Sequence, residues 1–300
     1  MRLPYPDASR PFRLLVLLVV LFAASLASGA DFRIVSEVYL DGEKEPFSTN
    51  RTLFRAGVVY DYLEAPGMTT VFDPARQRFL LLDPETKLRC EVATPKIAEF
   101  NGALRQRALK HADPLLRFMA QPAFTIDPSP GPQRLVMTSP LVSYRLKTTP
   151  VEEDALRQYI EFSDWYAQLN TMVNVGSPPP FPRIEVNREL NKRGWMPLEV
   201  QLLISVRQSR GGNRDVKLLS RHDVMWRLLG EDLQAIERTA DEMATYEQVT
   251  FEVFQQRGNA LAGAPPAPNA DAQDAPLPAE GVRRASATEP ARNIAGPKRR

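Results

Sequence analysis

Two histidines, a single cysteine and three clusters of carboxylates are the residues of this 300-residue chain that could do chemistry. His111 lies in KHADP at a predicted helix end, and His222 in SRHDV within a predicted strand. Neither has a second histidine at metal-ligand spacing, so a zinc site would need carboxylates drawn from distant segments. Both histidines therefore read as structural. Cys90 excludes an internal disulfide and any cysteine-based metal site, because it has no partner in the chain. The carboxylates Glu152-Glu153-Asp154, Glu231-Asp232 and Asp241-Glu242 fall in the first turns or on the polar faces of predicted helices, where the helix dipole or solvent favours negative charge. There is no G-x-S-x-G elbow, no phosphate-binding glycine loop and no dinucleotide fingerprint. RGGNR at 210–214 reads as a glycine hairpin turn. The expectation is a non-enzymatic protein without catalytic residues, metal or cofactor. An enzyme built on dispersed carboxylates is the alternative that spacing alone leaves open.

The elements that would position these residues begin with a block of strands. In DFRIVSEVYL, Phe32, Ile34, Val38 and Leu40 share one parity, the period of a half-buried strand. NRTLFRAGVVYDYLE repeats the pattern with Phe54, Val58, Tyr60 and Tyr62, and Gly57 is expected as a bend or bulge in one long strand. VFDPARQRFLLLDPETKLRCEV at 71–92 carries Asp73-Pro74 and Asp83-Pro84 ten residues apart. Proline presets φ and Asp accepts local backbone bonds, so 69–93 reads as three antiparallel strands joined by two Asp-Pro turns. Helices are expected from Thr94-Pro95, from Asp113-Pro114 and from a capping box formed by Thr149 and Glu152. RLVMTSPLVSYRLKTT is strand that Pro140 breaks or marks as an edge, NRELNKRG at 187–194 a short helix with a hairpin as the alternative, and LEVQLLISVR with DVKLLSRHDVMWRL a long hairpin. GEDLQAIERTADEM is an amphipathic helix, and VTFEVF is either a last strand or a helix continuation, its alternation favouring the strand. Blocks of strands separated by helices imply an α+β class with a mainly antiparallel, curved, half-barrel-like sheet and helices packed on one face.

The ends set the compartment. Arg2, Arg10 and Arg13 precede the apolar run Leu14–Leu26, and the small residues Ala27, Ser28, Gly29 and Ala30 follow it. This is the pattern of a secretory signal over 1–30, too short to span a bilayer comfortably, with an uncleaved anchor as the alternative. No cysteine follows the run for lipid attachment. Export to the periplasm or cell envelope is expected, with no integral membrane domain after cleavage. Removing three basic side chains and one acidic from totals of 38 and 36 leaves 35 of each, so a neutral mature chain gives no reason to expect nucleic acid. Residues 259–300, rich in Ala and Pro, read as a disordered tail. Between the ends, 31–258 is expected to form a single α+β domain.

Aromatic and aliphatic side chains of the strand block, namely Phe54, Val58, Tyr60, Tyr62, Phe72, Phe79 and Leu81, are candidates for an apolar ligand-binding face. They can equally form a packed core against helices. The signal segment, the strand block and Phe72-Asp73-Pro74 followed by Phe79-Leu80-Leu81-Leu82 resemble the bacterial outer-membrane lipoprotein carrier superfamily. Gly194 and Pro197 leading into LEVQLLISV are similar to a late strand of that family. The resemblance implies a half-closed antiparallel barrel with helices over an apolar concavity. About a hundred residues of mixed helix and strand are inserted between the two matching parts. The expected partner is a lipid, an acyl chain or a lipidated protein; a cell-envelope interaction module with no small-molecule ligand is the alternative.

Overall fold

Alternation of apolar and polar residues drives residues 32–93 into strands, and the turns between them make each strand pair with the one before it. The computed structural model describes residues 29–65, 67–174, 177–207 and 213–261. β1 (Phe32–Leu40), β2 (Ser48–Arg55), β3 (Val58–Leu63), β4 (Thr69–Asp73), β5 (Arg78–Asp83) and β6 (Leu88–Ala93) form an antiparallel meander. Helices α1 (Thr94–Leu109) and α2 (Pro114–Ala120) follow. The chain then returns through β7 (Thr125–Ile126), β8 (Arg134–Thr138) and β9 (Val142–Pro150). Next come α3 (Glu153–Val173) and α4 (Phe181–Arg193), the long pair β10 (Trp195–Arg207) and β11 (Asn213–Met225), α5 (Gly230–Thr245), β12 (Glu247–Gln248) and α6 (Phe251–Leu261). The described strands make one open twelve-stranded sheet in the order β12-β6-β5-β4-β3-β2-β1-β11-β10-β9-β8-β7, antiparallel except where β12 meets β6. The fold is α+β with a mainly antiparallel sheet. No described helix is long and apolar enough to cross a membrane.

Both Asp-Pro turns fold as their sequence implies. Asp73 Oδ1 accepts the Arg76 amide at 3.2 Å over a single 3-10 turn, and Asp83 Oδ1 accepts the Glu85 amide at 2.9 Å. Other local expectations give way to competing bonds. Thr94 does not cap α1; its hydroxyl donates to the Gln77 carbonyl at 3.1 Å. Thr149 lies in β9 opposite Met196, so no capping box opens α3. α4 begins at Phe181, six residues before the expected Asn187, and ends at Gly194 in the left-handed conformation (φ 68°). The last four residues of VTFEVF open α6, because Phe251 and Phe254, three apart, are both buried against the core. The RGGNR turn, the signal segment and the tail lie almost wholly outside the described residues.

Two apolar cores cover what we call the inner face of the sheet. The larger joins Phe32, Phe54, Phe72, Phe79 and Cys90 of β1–β6 to Ile97 of α1, Leu156, Phe162 and Leu169 of α3, and Phe251 and Phe254 of α6. Phe162 meets Phe54 edge-on at 5.9 Å, and Phe72 stacks on Phe79 at 4.5 Å. The second core places Leu115 of α2 and Val186 and Leu190 of α4 over Leu135, Tyr144, Leu146 and Val200 of β8–β10. On the outer face α5 covers Val71, Leu80 and Leu82, aided by Tyr60 and Met243. Its start is clamped by Asp232, which is 0% exposed, lies 3.2 Å from Arg33 and 3.3 Å from Arg51, and accepts the Leu229 amide at 2.8 Å.

Candidate functional site

The β2–β3 connection decides which side chains face which core. Ala56 (φ 49°) and Gly57 (φ 77°) form a two-residue hairpin turn with positive φ at both positions, and Arg55 pairs with Val58. The expected single long strand is therefore two strands, and the reversal exchanges the parities. Phe54 pairs with Val59, so Phe54, Phe72, Phe79 and Leu81 share the inner face while Val58, Tyr60 and Tyr62 lie on the outer one. The seven residues do not form one surface. The inner four are buried beneath α3 and its neighbours. Tyr62 instead meets α5, its hydroxyl 3.0 Å from Thr239 Oγ1, and burial pushes its phenol up to about 12. Burial likewise raises the Cys90 thiol to about 11, which makes it an inert core group.

Between the two inner cores the face changes character. Register places Ser36 of β1 beside His222 of β11, Val38 beside Ser220 and Leu40 beside Leu218. Across β10, Val200 stands beside Ser220, Leu202 beside Leu218 and Ile204 beside Val216. These rows belong to the same face as Ile34 and Val224 of the large core. Val38, Leu40, Leu202, Val216 and Leu218 are only half-buried. They form a partly covered apolar strip along β1, β11 and β10, in which Leu202 and Val216 edge the second core while Val38, Leu40 and Leu218 belong to neither core.

A polar row borders the strip. Ser36 Oγ lies 2.8 Å from His222 Nδ1, and Ser220 Oγ 3.2 Å from His222 Nε2. Burial, and secondly the charge of Arg183, lowers the His222 pKa to about 3, so the ring is neutral and a weak base at physiological pH. A serine–histidine contact suggests nucleophile activation, but here hydroxyls occupy both ring nitrogens and no carboxylate orients the ring. Arg183, in the first turn of α4, donates through Nη2 to Tyr159 Oη at 2.8 Å and to Ser163 Oγ at 3.4 Å. One turn on, Asn187 Nδ2 donates to Ser163 Oγ and to Asp164 Oδ1 at 2.6 Å, and its buried Oδ1 has no protein partner. On the other flank the buried Asp61 accepts from Thr52 Oγ1 at 2.7 Å and Asn50 Nδ2 at 2.9 Å. Burial raises the Asp61 carboxyl, against the pull of Thr52, Asn50 and Tyr166 of α3.

The sequence reading missed this site because its parts are far apart in the chain. Ser36 and His222 are 186 positions apart and Arg183 belongs to a third element. A signal was present nonetheless: Ser36 interrupts Ile34-Val38-Leu40, and Ser220 and His222 interrupt Val216-Leu218-Val224, each on an otherwise apolar parity. A separate open cleft of about 450 Å³ lies at the β7–β8 end, lined by Ile126, Asp127, Pro128, Arg134 and Trp195, with Arg193 also at its wall and paired to Glu189. Among the described residues no cluster of three or more His, Cys, Asp or Glu could hold a metal ion. No protein-family model matches the chain, and no curated protein matches it either.

Proposed function

We propose that this chain is an exported, non-enzymatic binding protein that takes an apolar chain, free or attached to a lipidated protein, onto the inner face of its sheet. The observation that carries the reading is the half-buried strip of Val38, Leu40 and Leu218, edged by Leu202 and Val216 of the second core and set between the two packed cores. Side chains at the centre of a sheet face are ordinarily covered fully, and a contiguous apolar strip left partly uncovered there is the form of a ligand groove. Covering it with an acyl chain contributes about 0.8 kcal/mol per buried methylene, without polar chemistry. The resemblance of the strand block to the lipoprotein carrier superfamily agrees in kind with this reading.

The test is uptake of a fluorescent fatty acid by the purified full chain, with native mass spectrometry to detect co-purified lipid. The wild type is expected to bind. Leu218→Asp sets a carboxylate in the floor of the strip and is expected to weaken binding about tenfold or more, equivalent to losing roughly two methylene contacts. Absence of uptake, or equal uptake by Leu218→Asp, contradicts the reading.

A further inference from the structure

We propose that the ligand of this groove is an anionic amphiphile, whose carboxylate or phosphate-ester head is received by Arg183 and the Ser36–His222–Ser220 row while its chain runs along the strip. The inference rests on the apolar-chain reading above and adds to it the polar end of the ligand.

Arg183 feels one carboxylate, Asp164 of α3, from beyond ion-pair distance. Among the described residues no carboxylate forms an ion pair with it, and its recorded bonds all leave through Nη2 to two neutral hydroxyls. The nearby Asp164 is engaged by Asn187 instead. Tyr159 and Ser163 thus orient the guanidinium through neutral hydroxyls, and the N–H groups of Nε and Nη1 remain as separate donors for an oxyanion. Its helix packs Val186 and Leu190 with Val200, which stands beside Ser220 of the row, and its guanidinium is held by Tyr159 of the other core. Arg183 therefore lies over the inner face between the two cores, and its charge is felt by His222 and Tyr144.

The row beneath supplies one more donor. A neutral imidazole has one N–H and one bare nitrogen, and both nitrogens face serine hydroxyls. One serine must donate to the ring and the other must accept from it. Whichever tautomer holds, the accepting serine keeps a free O–H for an incoming oxyanion. The neutral ring leaves Arg183 as the positive charge of the group.

Position ties head to chain. Ser36 precedes Val38 and Leu40 on the same face of β1, and Ser220 is two residues from Leu218 on β11. From Ser36 to Leu40 the strand advances about 13 Å at roughly 3.3 Å per residue. A head at the polar row therefore directs a chain down the strip.

The experiment measures displacement of cis-parinaric acid from the full chain by palmitate, by its uncharged alcohol and by inorganic phosphate. Palmitate is expected to compete roughly ten- to a hundredfold better than the alcohol, the range of charge-assisted hydrogen bonds. Arg183→Met is expected to erase that preference and Arg183→Lys to restore part of it, with circular dichroism reporting the fold of each. Ser36→Ala with Ser220→Ala is the second variant, expected to reduce the preference while leaving the alcohol unchanged. Equal competition by palmitate and alcohol overturns the anionic head and leaves the apolar-chain reading standing. Displacement by phosphate alone at matched concentration overturns the amphiphile in favour of a simple anion site. Failure of the chain to bind parinaric acid at all overturns both.

Discussion

At the scale of single residues, two buried titratable groups on the inner face respond to pH in opposite directions. The folded chain holds His222 at about 3 against an ordinary value of 6.5. Between those values the unfolded chain binds a proton that the folded chain does not. His222 therefore favours folding above the window and costs stability as pH falls through it. Asp61 is raised above 3.8, so its folded form keeps a proton that the unfolded chain has lost, and its contribution falls as pH rises. The acid-side loss is the testable part. Thermal unfolding at about pH 4 and about pH 7 should show a smaller difference for His222→Gln than for wild type; equal differences would refute the assignment to His222. The histidine was visible in the sequence as a strand residue. Its partners were not, because hydrogen bonding across β1 and β11 and the docking of α4 bring Ser36 and Arg183 to it, and neither relation leaves a local pattern.

Among the elements, the β2–β3 hairpin and α5 carry the clearest predictions. Ala56 holds a left-handed φ of 49°, which costs an L-residue about 1 kcal/mol. Ala56→Asn or Ala56→Gly should raise the midpoint of urea unfolding, and Gly57→Ala should lower it by a similar amount. The clamp on α5 is of another kind. Asp232 is fully buried against Arg33 and Arg51, so Asp232→Ala leaves the two cations with only the exposed Glu231 and the Leu229 amide without its acceptor, and should cost about 1–3 kcal/mol in the same measurement. The strands of 69–93 were legible because Asp-Pro turns and clean alternation agree. The Ala56-Gly57 turn was not, because Arg-Ala-Gly-Val lacks the Asn-Gly or Asp-Gly signature of a two-residue hairpin. That one unread turn reversed the parity of β3 and moved Val58, Tyr60 and Tyr62 to the opposite face. VTFEVF failed for a related reason: its three alternating apolar residues fit a short strand, and burial at Phe251 and Phe254 selected the helix.

For the whole molecule, the architecture follows from a sheet too wide for one helical layer. Twelve strands present an inner face that α1, α3 and α6 cover at one end and α2 and α4 at the other. The seam between them leaves Val38, Leu40 and Leu218 of β1 and β11 only half-buried, with Leu202 of β10 at its edge. Class and strand content were legible in the sequence because they depend on local alternation, whereas the seam depends on how far each helix reaches across the sheet. The central claim is that this seam is where an apolar chain binds. A fatty acid carrying a photoactivatable diazirine, crosslinked to the full chain and mapped by peptide mass spectrometry, tests it directly. The account predicts labelling at Val38, Leu40, Leu202 and Leu218, suppressed by excess palmitate. Labelling confined to outer-face residues such as Tyr60 or to the exposed Trp226, or labelling that palmitate does not suppress, would contradict it.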